Sequence, residues 1–205
     1  MTDLVRLKQS RLYSEELGID LSARDDERYF RWFLASLLFG GHISETIARH
    51  TYQAFCRHQL TTPRQILAAG WDFLVSPIMR EGGYVRYDFS KSDQILRDCQ
   101  MLVDEYDGSL WRVHEMARDA PDLEARLLVF YGVGPVTANI FLRELRPFWS
   151  KADPAPLPMV GALAASLGID LTQYGRKTIT FARIEAGLIR RRHEHRQSST
   201  VVKPA

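Results

Sequence analysis

The residues of this sequence best suited to chemistry by type and spacing are Gly132-Val133-Gly134, with Pro135 directly behind them. They separate the apolar run Leu127-Leu128-Val129-Phe130-Tyr131 from a segment in which Val136, Ile140, Phe141 and Leu145 recur at helical spacing. Glycine accepts backbone angles that other residues resist, so two glycines around one small apolar residue permit a tight turn. Proline suits the first position of a helix, where its missing N–H would have had no partner. The pattern predicts a helix, a hairpin and a second helix. A helix start opened by glycines offers free N–H groups and positive dipole potential, with no side chain to keep a phosphate away. The same residues also suit an ordinary corner between helices that binds nothing.

A second group with chemical potential lies near the end of the chain. Arg183, Arg190, Arg191, Arg192 and Arg196 crowd together, with Lys203 beyond them. Such a run is either a solvated helix face or a patch that contacts phosphates. The formal net charge is only +2, so total charge alone does not argue for a nucleic-acid partner. His193-Glu194-His195 could suggest a metal, but histidines two apart diverge on a helix, and we assign no metal there. Cys56 and Cys99 fit no metal-binding or redox spacing, which points to a reducing, cytoplasmic compartment. No apolar run is long enough to span a membrane, and the first residues lack the apolar core of a signal peptide.

These groups must be positioned by helices. With 205 residues, 45% of them hydrophobic and 25% charged, the chain suits one globular domain or two small lobes. Nothing reads as alternating strands, so the predicted class is all-α. A short helix is expected near residues 14–17. A strongly apolar helix should run from about Glu27 to Gly40-Gly41, with Tyr29, Phe30, Trp32 and Phe33 in the core. Ser44 should cap the next helix, to about His58, and Thr62-Pro63 the one after, to Ala69 with a break at Gly70. Residues 71–79 read as another short helix disturbed at Pro77, followed by a loop at Glu81-Gly82-Gly83-Tyr84. Ser90 should cap an amphipathic helix ending at Asp107-Gly108. Short helices at 110–118 and 121–131 lead into the hairpin. Pro147, Pro154, Pro156 and Pro158 mark an extended crossing segment. Helices at about 159–167 and 176–195 follow, with a polar tail from Gln197 expected to be disordered.

The text G-V-G-P-V-T-A-N after an apolar helix resembles the helix-hairpin-helix motif of the endonuclease III-like DNA glycosylases. Two further stretches resemble that family in the same order. One is the first apolar helix, ending Leu37-Leu38-Phe39-Gly40-Gly41-His42. The other is G-G-Y-V-R-Y-D-F-S-K-S-D-Q-I, which places Lys91 at a family lysine. The resemblance covers roughly Arg28 to Leu145. It implies the endonuclease III-like fold in two lobes. Residues 28–146 would form a helical domain ending in the hairpin, and residues 1–27 and 147–205 would form the second lobe.

By the same resemblance, the amides of Gly132, Val133, Gly134, Val136 and Thr137 would grip a phosphate of double-stranded DNA, with help from a monovalent cation at the hairpin. Lys91 and His42 would add contacts, and Arg190 and Arg191 would join them if the arginine run is the patch that contacts phosphates. His42 would fill the gap left by a flipped base, or else is a surface residue at a helix end. Tyr84, Trp71 and Tyr131 would line the base pocket, or else simply pack.

The activity implied is hydrolysis of the bond between a damaged or mispaired base and its sugar, aided by a carboxylate. Family spacing forward from the hairpin lands next to Asp153, the candidate catalytic residue. Counting back from Leu167-Gly168 lands instead at Leu157, so the match to Asp153 needs an insertion. Asp153 before Pro154 also suits an ordinary turn. Val136 occupies the position of the lysine that gives bifunctional members their lyase chemistry, so the expected enzyme is monofunctional. Lys91 and Lys151 read otherwise as surface lysines. Two cysteines cannot supply the family's four-cysteine iron–sulfur cluster. The alternative to an enzyme is a DNA-binding protein that keeps the hairpin and has lost the chemistry. A monomer is the expected state.

Overall fold

A computed structural model describes the backbone of residues 3–201 and the side chains of residues 3–192. The described residues form helices and connecting segments with no strand, so the fold is all-α. The helices are α1 (Asp3–Lys8), α2 (Tyr13–Glu16), α3 (Asp26–Phe39), α4 (Glu45–Arg57), α5 (Pro63–Phe73), α6 (Arg80–Gly82), α7 (Asp88–Tyr106), α8 (Leu110–Met116), α9 (Ala120–Leu128), α10 (Pro135–Leu145), α11 (Pro158–Ser166) and α12 (Ile179–Val201). A π-type stretch, Leu74–Met79, joins α5 to α6, and a 3-10 turn, Leu171–Gln173, precedes α12.

Most boundaries follow the local chemistry. The Ser44 hydroxyl accepts the Ile47 N–H, and the Thr62 hydroxyl accepts the Gln65 N–H with Pro63 at the first helical position. Gly70 interrupts α5 with φ 76° and ψ 177°. Asp107 closes α7 in the left-handed region. Three expectations need correction. Glu81 and Gly82, expected in a loop, belong to α6. Ser90 does not cap α7: the helix starts two residues earlier, and the Ser90 hydroxyl donates to the Tyr87 carbonyl from inside the first turn. The backbone expected to be disordered from Gln197 is helical to Val201. His193-Glu194-His195, Arg196 and Lys203 lie outside the described side chains.

The first apolar helix is the core. Tyr29, Phe30, Trp32 and Phe33 are all buried in α3, and α3 packs on both α4 and α10. The Trp32 indole donates to the Phe141 carbonyl of α10 at 3.0 Å. The chain ends meet, with α1 and α11 both packed on α12. One hydrophobic cluster extends from Leu7 to Ile189, so the terminal segments and residues 28–146 share a core.

The joint between them is a charged one. Glu144 of α10 is wholly buried, and its carboxylate accepts the N–H groups of Tyr13 and Ser14, each at 2.9 Å. It therefore satisfies the first two orphan donors of α2 from more than a hundred residues away in sequence. Charge-assisted bonds of this kind contribute about 1.5–3 kcal/mol each. We expect Glu144→Gln, which keeps one acceptor and turns an amine toward the second donor, to destabilise the fold by at least about 2 kcal/mol. Urea unfolding with a Tyr13-centred probe checks this, and an unchanged midpoint would show the N-terminal segment to be held by packing alone.

Candidate nucleic-acid interface

Seven of the residues singled out in the sequence line one groove of about 360 Å³: Gly132, Gly134, Val136, Thr137, His42, Lys91 and Tyr84. The groove forms where the starts of α7 and α10 meet the end of α3. Its closeness depends on missing side chains. A Cβ at Gly40 would run into the Thr137 side chain, and one at Gly41 would sit 2.6 Å from the Tyr84 hydroxyl. A Cβ at Gly132 would sit 2.9 Å from the Asp98 carboxylate. Gly40-Gly41 is thus a close-packing device between α3 and the hairpin.

The hairpin amides divide into two sets. The Gly132 N–H donates to both carboxylate oxygens of Asp98 at 3.2 and 3.3 Å, and the Val133 N–H donates to the Phe130 carbonyl at 3.1 Å. These two, expected as phosphate donors, are spent inside the turn, and Val133 itself is buried. Among the described residues, the amides of Gly134, Val136 and Thr137 have no acceptor, and α10 has no side-chain cap. Gly134 has φ −94°, so its backbone does not demand glycine, and a Cβ there would meet nothing within 4 Å.

Capping elsewhere makes this informative. Among the helices of eight or more residues, α3, α4, α5, α9 and α12 receive a side-chain cap from Asp25, Ser44, Thr62, Asp119 and Thr178. The uncapped ones are α7, α10 and α11. The first residues of α7 and α10 line the groove. Those of α10 and α11 line a second cavity of about 220 Å³, and Val136 is the residue common to both spaces. Uncapped helix starts leave orphan donors and the positive end of the dipole facing whatever occupies these spaces.

Lys91 is not the surface lysine its sequence context suggests. It is buried, its ammonium donates to the Leu37 carbonyl at 3.2 Å, and burial holds its pKa below the usual lysine range, partly offset by Asp98. His42 is exposed on the groove rim, and the buried Tyr84 turns its hydroxyl toward Gly41.

The remaining candidates are placed elsewhere. Trp71 is partly exposed and pairs with Phe89 at 5.3 Å between ring centroids. Tyr131 is exposed beneath the Arg97 guanidinium. Neither lines the groove or the cavity. Arg190 donates to the Arg11 carbonyl and pairs with Glu16, and Arg191 pairs with Asp3. These arginines fasten α12 to the N-terminal segment and present no free phosphate-binding face.

Asp153 lines neither space. Its carboxylate pairs with Arg176 at 3.0 Å and lies 3.8 Å from the buried Arg146. Arg146 also holds Glu185 and the Pro154 carbonyl. The Asp153-Pro154 turn is therefore a clamp joining the end of α10 to α12. The position reached by counting back from Leu167-Gly168, Leu157, is the residue before α11 and does line the cavity, as an apolar wall. Among the described residues there is no cluster of three or more metal-ligating side chains, and both cysteines are free thiols. No described helix is long and apolar enough to cross a membrane.

Sequence reasoning missed Asp98 and Arg143. Asp98 lies under the hairpin, and only the folded chain shows that its neighbour is Gly132. Arg143 sits among apolar residues on the buried side of α10, a placement that helical spacing from Ile140 and Val136 could have shown. Comparisons of the chain with protein-family models, curated proteins and solved structures find no match.

Burial pushes the Asp98 carboxyl up to about 6, because it disfavours the charged form more than the Gly132 and Tyr131 N–H groups and Lys91 favour it. With the folded pKa above the unfolded one, the fold gains most below about pH 4. That gain is lost as the pH rises toward 6, at up to about 1.4 kcal/mol per pH unit. Asp98→Asn keeps an acceptor for Gly132 without the charge. Its stability relative to the native chain should rise between pH 4 and 6 and level off above. Urea midpoints measured across that range check this, and parallel profiles would exonerate Asp98.

Proposed function

We propose that this chain is a helix-hairpin-helix DNA-binding protein of the endonuclease III-like kind, which holds a backbone phosphate of duplex DNA at the start of α10. The observation that carries the reading is the set of three unpartnered amides, Gly134, Val136 and Thr137, opening beside Lys91 into a groove where no side chain caps the helix. An N-cap side chain stabilises a helix by roughly 0.5–2 kcal/mol relative to alanine, and that opportunity is left unused where the backbone has the freedom to take it. Such local departures from stability rules fall at functional sites. A monovalent cation at the hairpin belongs to the same reading, because it would join the turn to the phosphate.

A second reading is monofunctional base excision by hydrolysis. It is favoured by the cavity on the far side of Val136, a space of about 220 Å³ next to the phosphate groove. If that chemistry operates, Asp153 is poorly placed for it, since its carboxylate is committed to Arg176 and Arg146. Glu45 is the acidic residue that lines the cavity. Abasic sites released from lesion-bearing duplexes would then disappear in Glu45→Gln and persist in any folded Asp153→Asn protein. Their absence from the native chain leaves the binding reading alone.

The phosphate site has its own test. Duplex affinity should fall with salt, with a slope of about −0.9 in log units for each phosphate neutralised. Gly134→Asp supplies the missing cap and puts a negative charge where the phosphate would sit. We expect its unfolding midpoint to match or exceed that of the native chain, by a few tenths of a kcal/mol. Its duplex affinity in fluorescence anisotropy should be at least ~10-fold weaker, a loss of about 1.4 kcal/mol. Unchanged affinity in a stabilised variant would mean that the hairpin serves packing only.

A further inference from the structure

The groove at the start of α10 carries little positive charge for a phosphate site. Among the described residues, Lys91 is the one lysine in its wall, and no arginine, aspartate or glutamate lines it. Arg97, on the same helix as Lys91, rests on the exposed Tyr131 ring at 4.5 Å. Lys91 itself is buried, with its ammonium on the Leu37 carbonyl. Two turns along α7 lies Asp98, 1% exposed, whose carboxylate oxygens both accept the Gly132 N–H. The opposite charges of Lys91 and Asp98 act on one another. The start of α7 brings a further acid, since the Asp88 carboxylate accepts the Phe89 N–H at 2.9 Å.

A helix start contributes roughly half a positive charge. Because Lys91 and Asp98 offset one another, little more than that faces a ligand on the α10 amides. Asp98 also takes the Gly132 N–H for itself and leaves the donors of Gly134, Val136 and Thr137. Its charge lies under the turn and away from water, where salt screens it less than a surface charge. Repulsion from it grows in proportion to the charge of the ligand. A singly charged phosphodiester suits such a site. A phosphomonoester carries nearly two charges at neutral pH, and sites that hold one supply arginine or lysine side chains.

We propose that Asp98 is a specificity-determining residue of the α10 phosphate site, restricting it to the singly charged phosphodiesters inside an unbroken strand and turning away the doubly charged phosphomonoesters of strand ends. Asp98 acts through Gly132 and through its field, without touching the ligand. This inference rests on the phosphate-binding reading above.

Dimethyl phosphate and methyl phosphate are the probes. They are titrated at pH 8, where burial still leaves the Asp98 carboxyl ionised. A tetramethylammonium buffer of constant ionic strength lets no small cation lend charge to the turn. The Gly134, Val136 and Thr137 amide signals of the isotope-labelled full chain report binding. The native chain should bind dimethyl phosphate at least as tightly as methyl phosphate, although the second has twice the charge. Asp98→Asn keeps an acceptor for Gly132 and removes the charge. It should raise affinity for dimethyl phosphate by ~3-fold and for methyl phosphate by ~10-fold, because doubling the repulsion energy squares the fold-change. An acceptor that only shapes the turn would move both probes equally. Gln94→Lys adds a cation to the groove wall with the Asp98–Gly132 contact left in place, and it should shift preference toward methyl phosphate in the same sense.

A native chain that prefers methyl phosphate overturns the proposal and leaves the phosphate site standing. An equal gain for both probes in Asp98→Asn does the same. Amide signals that move with neither probe in either protein overturn the α10 phosphate reading itself, and this inference with it.

Discussion

A carboxylate with no access to water, Glu144, and the two backbone N–H groups it accepts hold the N-terminal segment against α10. Ionising a buried carboxyl is unfavourable, and burial does push the Glu144 pKa up. The Tyr13 and Ser14 donors offset that penalty only at one relative position of α2 and α10. That geometry sets where the Tyr13 ring lies, and the ring in turn is covered by Arg143 and by Arg190 at 4.3 Å. Tyr13 in turn forms part of the wall of the cavity beyond Val136.

The same helix supplies the other joints. Its Phe141 carbonyl receives the Trp32 indole, its Asn139 amide donates to the Ala155 carbonyl at 2.8 Å, and Arg146 just past its end binds Glu185 and Pro154. α10 is thus held at its middle and C-terminal end by buried polar bonds, while its N-terminal turn has free donors. Fixing one end and leaving the other unsatisfied is how a rigid scaffold presents backbone amides to a ligand without reorganising. Gly40 and Gly41 complete the arrangement by letting α3 approach Thr137 and Tyr84 more closely than any side chain would allow.

Much of the groove was legible in the sequence. Glycine, proline and helical spacing dictate a hairpin between two helices. The same rules placed the Ser44 and Thr62 caps and the break at Gly70. That Lys91, Tyr84 and His42 would belong to one site was what the family resemblance implied, and all three line the groove. The roles of Arg190, Arg191 and Asp153 were not legible for one physical reason: a charged side chain carries no record of its partner. Arg190, Arg191 and Asp153 are each committed to residues or carbonyls far away in sequence. Whether Trp71 and Tyr131 line a pocket was not legible, because an aromatic residue reads the same in a pocket wall and on an exposed face.

What the amino-acid order determined by itself is the helical class, most helix boundaries and the hairpin, because caps, breakers and periodicity act within a few residues. Tertiary structure alone decided which amides stay free and which carboxylate lies under the turn. Those outcomes depend on groups brought together from opposite ends of the chain. Burial then makes each unsatisfied donor energetically significant, which no local pattern can encode.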